Sequence, residues 1–282
     1  MLVDASSQLR NRLIQQLQRA ADGAAASAAH PDLATGVHEV RKAARRVRAI
    51  AELVREAVSR RDRRGVRDAI ADARHVLGPA RDHAVVAHIL PHLVLDEPVR
   101  EAGKLVLNAA AIDAPSSEAT REALGESAAT VVSQAQALER ALPETLAFET
   151  LVEGVQWVYG RARRARKSAK RSKRMFHTWR RRTKELMYQL DVLGDLAGPR
   201  LTELRSALDE IAHAQRDAVD LLMLRSFARA HRDLVDRDAS KLLTDALDAQ
   251  LRPLLADVRR AGKAAFRQSP RKLARSACRH AT

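Results

Sequence analysis

Two stretches of this 282-residue chain repeat one arrangement of titratable side chains: Val37-His38-Glu39-Val40-Arg41-Lys42-Ala43-Ala44-Arg45 and Phe176-His177-Thr178-Trp179-Arg180-Arg181-Arg182-Thr183-Lys184. In each, a histidine is followed at +3, +4 and +7 by a basic residue within a helical apolar pattern. A helix turns by about 100° per residue, so such spacings collect side chains on one face. With His38 at the origin, Arg41, Arg45 and Arg48 fall within a sector of roughly 80°, flanked on the other side by Lys42 and Arg46. Val40, Ala43, Val47, Ile50, Val54 and Val58 occupy the opposite side. The second stretch gathers His177, Arg180, Arg181, Lys184 and Tyr188 in front of Trp179, Leu186, Leu190 and Leu193.

A solvated helix face normally alternates sign and gains i,i+4 pairs. These stripes hold few carboxylates, so their like charges repel unless an anion neutralises them. Arginine outnumbers lysine in the first stripe, and its planar fork takes phosphate oxygens two at a time. Two cationic faces of this kind suit an extended anion. His38 and His177 have two readings: each donates to a phosphate oxygen, gaining charge as pH falls toward about 6.5, or ties its helix to a neighbour.

The elements that position these faces are helices separated by short turns. Apolar periodicity predicts helices at 6–29, 32–59, 62–77, 80–95, 98–112 and 116–141, then 144–170, 174–194, 199–214, 216–233 and 237–263. His30-Pro31-Asp32, Gly78-Pro79, Asp113-Ala114-Pro115-Ser116 and Gly198-Pro199 interrupt the pattern where connections belong. Leu142-Pro143-Glu144 divides the chain into halves at 1–142 and 143–268, and the basic stretch 269–282 reads as a disordered tail. Leu77-Gly78-Pro79-Ala80-Arg81-Asp82 follows the first histidine at nearly the distance at which Ala212-His213-Ala214-Gln215-Arg216-Asp217 follows the second. Two landmarks in the same order indicate an internal repeat, and the short connections favour two helical bundles about a pseudo-twofold axis.

Composition fits an all-α chain, with 3% aromatics, eleven Gly and nine Pro. The formal charge is +15 and is uneven: residues 1–142 carry 20 basic against 18 acidic side chains, residues 143–282 carry 30 against 17. A polyanion is the expected partner. The single cysteine, Cys278, fits a reducing cytoplasm, and the most apolar window, Ala84–Leu95, is too short and polar to span a bilayer. No membrane insertion is expected. Nine of the fourteen residues from Arg161 to Arg174 are basic and none is acidic, so this run adds salt-sensitive affinity for any polyanion, with Arg163, Arg164 and Lys167 beginning on the preceding helix.

These residues resemble the CHAD family, the conserved histidine α-helical domain, whose hallmark is His-x-x-Arg followed by further basic residues once in each half. Leu77-Gly78-Pro79-Ala80-Arg81-Asp82 is similar to the family's Leu-Gly-x-x-x-Asp element. Glu185 and Met187 stand where the second copy often has basic residues, and His213 replaces the glycine of the second Leu-Gly element. The resemblance covers nearly the whole chain, as a single CHAD domain. It implies two four-helix-type bundles with a basic groove or cavity between them, binding of inorganic polyphosphate, and association with polyphosphate granules.

The expected function is noncatalytic binding of inorganic polyphosphate in the cytoplasm, on granules. Arg41, Arg45, Arg48, Arg180, Arg181 and Lys184 are the expected phosphate contacts, assisted by His38 and His177. Lys42, Arg46, Arg163, Arg164, Lys167 and Tyr188 complete the candidate set. Single-strand nucleic-acid binders interleave aromatic platforms with their basic grooves, whereas Trp157, Trp179 and Phe148 read as core residues here. Weak nucleic-acid binding through residues 161–174 is the alternative. His88 and His92, one turn apart near Asp82 and His83, lack a further ligand at a recognisable spacing, so no metal is expected. Asp82 and Asp217 read as helix caps or partners of Arg81 and Arg216. Without a phosphate loop or carboxylate cluster, neither an enzyme nor a cofactor is expected.

Overall fold

The two histidine-bearing stretches both fold as helices, and side-chain caps fix where several of the helices begin. Asp32 accepts from the Ala34 and Thr35 amides at 3.1 and 3.2 Å, starting the first histidine helix after Pro31. Ser59, Ser116, Asp236 and Ser269 cap later helices in the same way. The computed structural model describes residues 5–93, 95–111, 115–169, 173–234 and 236–279. Among these, helix is the only regular secondary structure.

The helices are α1 (Ala5–Ala28), α2 (Leu33–Leu53), α3 (Arg60–Val76), α4 (Gly78–Ile89), α5 (Glu97–Ala111), α6 (Ser117–Ala141), α7 (Phe148–Ser168), α8 (Lys173–Leu193), α9 (Gly198–Ala230), α10 (Arg237–Ala265) and α11 (Pro270–Cys278). Four differ from expectation; one is α4, expected to reach residue 95, which ends at Ile89 and passes into a 3-10 turn at Leu90–His92 that contains Pro91. Helix α2 stops at Leu53 and gives way to a turn, although Val54 and Val58 remain buried. Helix α9 runs unbroken through Ala214-Gln215-Arg216, because that stretch lacks the Gly78-Pro79 pair that separates α3 from α4. The stretch 269–282 is not a disordered tail: Pro270–Cys278 form α11, which buries Leu273 and Ala277 against the main core. Residues 280–282 lie outside the described residues.

Helix α1 packs along α6 and α2, and α3 packs on α6 and α2. Helix α7 packs on α8 and α11, α8 on α9, and α9 on α10. Contacts also cross Leu142–Pro143: α4 lies on α9, α5 on α10, and α2 on both α7 and α8. One buried apolar cluster therefore runs through both halves of the chain.

Two glycines permit the close crossings. A Cβ on Gly154 of α7 would stand 2.0 Å from the Leu53 carbonyl oxygen at the end of α2, and one on Gly262 of α10 would stand 2.4 Å from Trp179 Cζ2. Trp179 is fully buried behind the second basic stripe, with Phe176 edge-on at 5.8 Å. The Gln189 amide donates to the Ala49 carbonyl at 3.2 Å, a buried bond that joins α8 to α2. These contacts bring the two histidine-bearing helices side by side.

Candidate functional site

The facing of α2 and α8 leaves a cavity of about 660 Å3, completed by the C-terminal end of α3, the start of α4 and the middle of α9. Helix α2 supplies Arg41, Arg45 and Arg48; α8 supplies His177, Arg180, Arg181, Lys184 and Tyr188. Those are eight of the fourteen expected residues. Arg74, Arg81 and Arg174 also line it, so eight arginines and one lysine face a single carboxylate, Glu185. Val219 and Met223 of α9 form an apolar side.

Arg41 and Arg48 are buried, and Arg74, Arg180 and Lys184 are partly buried, at a cost. Arg41 is buried and donates to the Arg74 carbonyl, which ties the end of α3 to α2. Burial, with repulsion from Arg81 and Arg45, pushes the Arg41 guanidinium down to about 10. Burial, with Arg41, Arg45, Arg48 and Arg181 adding repulsion, pushes Arg74 down to about 9. Arg180, Arg181 and Lys184 are held below their ordinary values, in each case by burial first and by neighbouring arginines among the further causes. Asp220 of α9 opposes the shift at Arg180, and its own carboxyl is raised by burial. Arg180 Nη1 is buried with no hydrogen-bond partner among the described residues. A buried donor of this kind, surrounded by like charge, is what an entering anion would satisfy.

Glu185 is 5% exposed and bridges two arginines. Arg182 donates to its Oε2, and Arg48 Nε lies 4.0 Å from its Oε1. A second buried carboxylate, Glu52, lies 3.5 Å from Arg63. Glu185 thus balances Arg48 within the lining, whereas Glu52 pairs with Arg63 outside it.

The remaining expected residues lie elsewhere. The His38 side chain is 64% exposed, with Nε2 4.0 Å from Glu39. Partial desolvation lowers its pKa, and Arg45, Lys42 and Arg81 add to this against the opposing Glu39; His38 is not part of the cavity lining. Lys42 is paired with Glu39 at 3.0 Å, and Arg46 stands over the Tyr188 ring at 5.9 Å. Arg163 Nε donates to the Phe266 carbonyl at 3.1 Å, whereas Arg164 and Lys167 are exposed on α7. Lys170, Arg171 and Ser172 of the basic run lie outside the described residues, and Arg174 at its end reaches the cavity.

His177 lines the cavity with part of its surface exposed, and partial desolvation, Arg180 and Arg81 hold its pKa below 6.5. Its proton is therefore disfavoured until an anion offsets those cations, a lower threshold than the ordinary histidine value. Three cavity arginines were not among the sequence candidates. Arg81 belongs to the repeated Leu77–Asp82 element and Arg174 to the basic run, so both carried a signal; Arg74 sits in the last turn of α3 with none. Among the described residues no three of His, Cys, Asp and Glu gather as metal ligands, and no helix is long and apolar enough to cross a membrane.

The fold and site define an all-helical protein whose two histidine-bearing helices share an arginine-lined cavity. The CHAD domain model matches residues 8–229, and the chain belongs to that family. No curated protein and no solved structure matches it significantly.

Proposed function

We propose that this protein binds inorganic polyphosphate without cleaving it, and that binding localises it to polyphosphate granules. The observation that carries the reading is the cavity between α2 and α8, where nine cations face one carboxylate and Arg180 keeps a buried donor unpaired. Polyphosphate binding is a general attribute of CHAD domains, which supports the choice of anion. A phosphate chain carries about one charge per unit and no base, so repeated guanidinium contacts suffice to hold it. Within this reading the two halves act as related bundles, one basic helix from each gripping the chain from opposite sides.

The test is competition between labelled long-chain polyphosphate and excess DNA or RNA at about 150 mM salt, where loose charge-only contacts weaken. Retained polyphosphate supports a selective phosphate-chain site, and its equal displacement by nucleic acid rejects one. Arg45→Ala with Lys184→Ala should weaken binding more than neutralising Arg163, Arg164 and Lys167. Phosphate release on adding Mg²⁺ would assign hydrolysis instead.

A further inference from the structure

Trp157 is not the core residue its type suggests: it is 41% exposed on α7, whereas Trp179 is fully buried. Its ring carries the Arg55 guanidinium at 3.8 Å, with Arg161 at 5.9 Å. Arg55 Nε in turn lies 3.0 Å from Glu56, so the stacked cation is itself held. Trp157 also lines a shallow cavity of about 340 Å3 with Gly160, Arg164, Pro270 and Arg271. Arg164 and Arg271 are exposed, and neither forms an ion pair among the described residues. The far wall is fixed, because the Tyr159 hydroxyl reaches the Ala265 and Gln268 carbonyls at 3.3 and 3.2 Å and Arg163 holds Phe266. The elements of a stacking platform are thus present: an aromatic ring kept in place and unpaired guanidiniums beside it.

We propose that this face of α7 and α11 is a second binding site, which takes a base of single-stranded nucleic acid on Trp157 and the adjoining phosphates on Arg164 and Arg271. The arginine-lined cavity has no comparable exposed indole, and polyphosphate has no base to place on one. Ring and cations together therefore select a base-bearing strand, in which stacking adds to charge. The site is separate from the cavity between α2 and α8 and does not depend on what that cavity binds.

The experiment compares a labelled ten-nucleotide oligothymidylate with an abasic deoxyribose-phosphate strand of the same length at about 150 mM salt, where charge-only binding is weakened. The wild-type protein should prefer the base-bearing strand by roughly 5- to 150-fold, the equivalent of about 1–3 kcal/mol for one stacked base. Trp157→Ala should abolish that preference, Trp157→Phe should retain part of it, and Arg164→Ala with Arg271→Ala should weaken both strands. Circular dichroism checks that each variant keeps its helices. Polyphosphate affinity should stay within about twofold in Trp157→Ala, and the base preference should survive Arg180→Gln, so the two sites fail separately. No oligothymidylate binding, equal affinity for the two strands, or a preference that survives Trp157→Ala overturns the proposal.

Discussion

Arg180 offers the sharpest separation between a binding role and a structural one. Its Nη1 is buried and unpartnered, and burial and the nearby Arg45, Arg81 and Arg216 all disfavour its charge, with Asp220 the opposing influence. A phosphate oxygen reaching that donor forms a charge-assisted bond worth about 1.5–3 kcal/mol. Arg180→Gln should therefore weaken polyphosphate binding roughly 10- to 150-fold. The free protein should keep or gain thermal stability, because the replaced group is a crowded cation that forms no hydrogen bond or ion pair among the described residues. Arg163→Gln should behave in the opposite way. Its bond to the Phe266 carbonyl is structural, so its loss costs about 1 kcal/mol, or roughly 2–4 °C in Tm, with affinity within about threefold of wild type. Titration with polyphosphate of one chain length, paired with calorimetry, reads both quantities. An Arg180→Gln affinity within twofold of wild type, or a Tm loss as large as that of Arg163→Gln, would refute the reasoning.

Glu185→Gln should destabilise the free protein by about 3 kcal/mol, roughly 6–12 °C in Tm, because Arg48 and Arg182 lose their shared buried carboxylate; saturating polyphosphate should restore part of this. An unchanged melting curve would mean the pair is neutral. Polyphosphate affinity should rise as pH falls from about 7 to 5, because an anion lifts the depressed His177 pKa and the complex takes up a proton. In the same window the free protein should lose stability, since the unfolded chain binds that proton at its ordinary value and the folded imidazole does not. His177→Gln should flatten its part of both profiles, leaving that of His38, which is shifted in the same direction. Gly154→Ala should cost about 1–3 kcal/mol, because the Leu53 backbone oxygen cannot swing aside; Gly65→Ala, with open space around it, should be neutral or slightly stabilising in a urea melt.

The helices were legible wherever a breaker or cap interrupted apolar periodicity, and the same logic explains the misreading at α9. The expected repeat suggested a break near Ala214, but that stretch has no counterpart of Gly78-Pro79, so α9 continues as one helix. Helix α11 was hidden because Leu273 and Ala277 are too few to mark a face in a basic stretch, and they become a face only against α7 and the core. Trp157 was misread for a related reason: residue type cannot say which side of α7 its neighbours leave uncovered.

The site was legible to the extent that helical rotation decides it. Arg41, Arg45 and Arg48 share the sector that lines the cavity; one residue further round, Lys42 turns to Glu39, and Arg46 reaches the Tyr188 ring of α8 without entering the lining. Arg74 could not be found in this way, since its place depends on the end of α3 meeting α2. Its environment nonetheless says most about the site. Burying a guanidinium among like charges costs the fold stability, and Arg74, Arg41 and Arg180 all bear that cost around one cavity. Apolar residues of similar volume would fill the same space more favourably, so the arrangement makes sense as one completed by an anion, with polyphosphate as the proposed occupant.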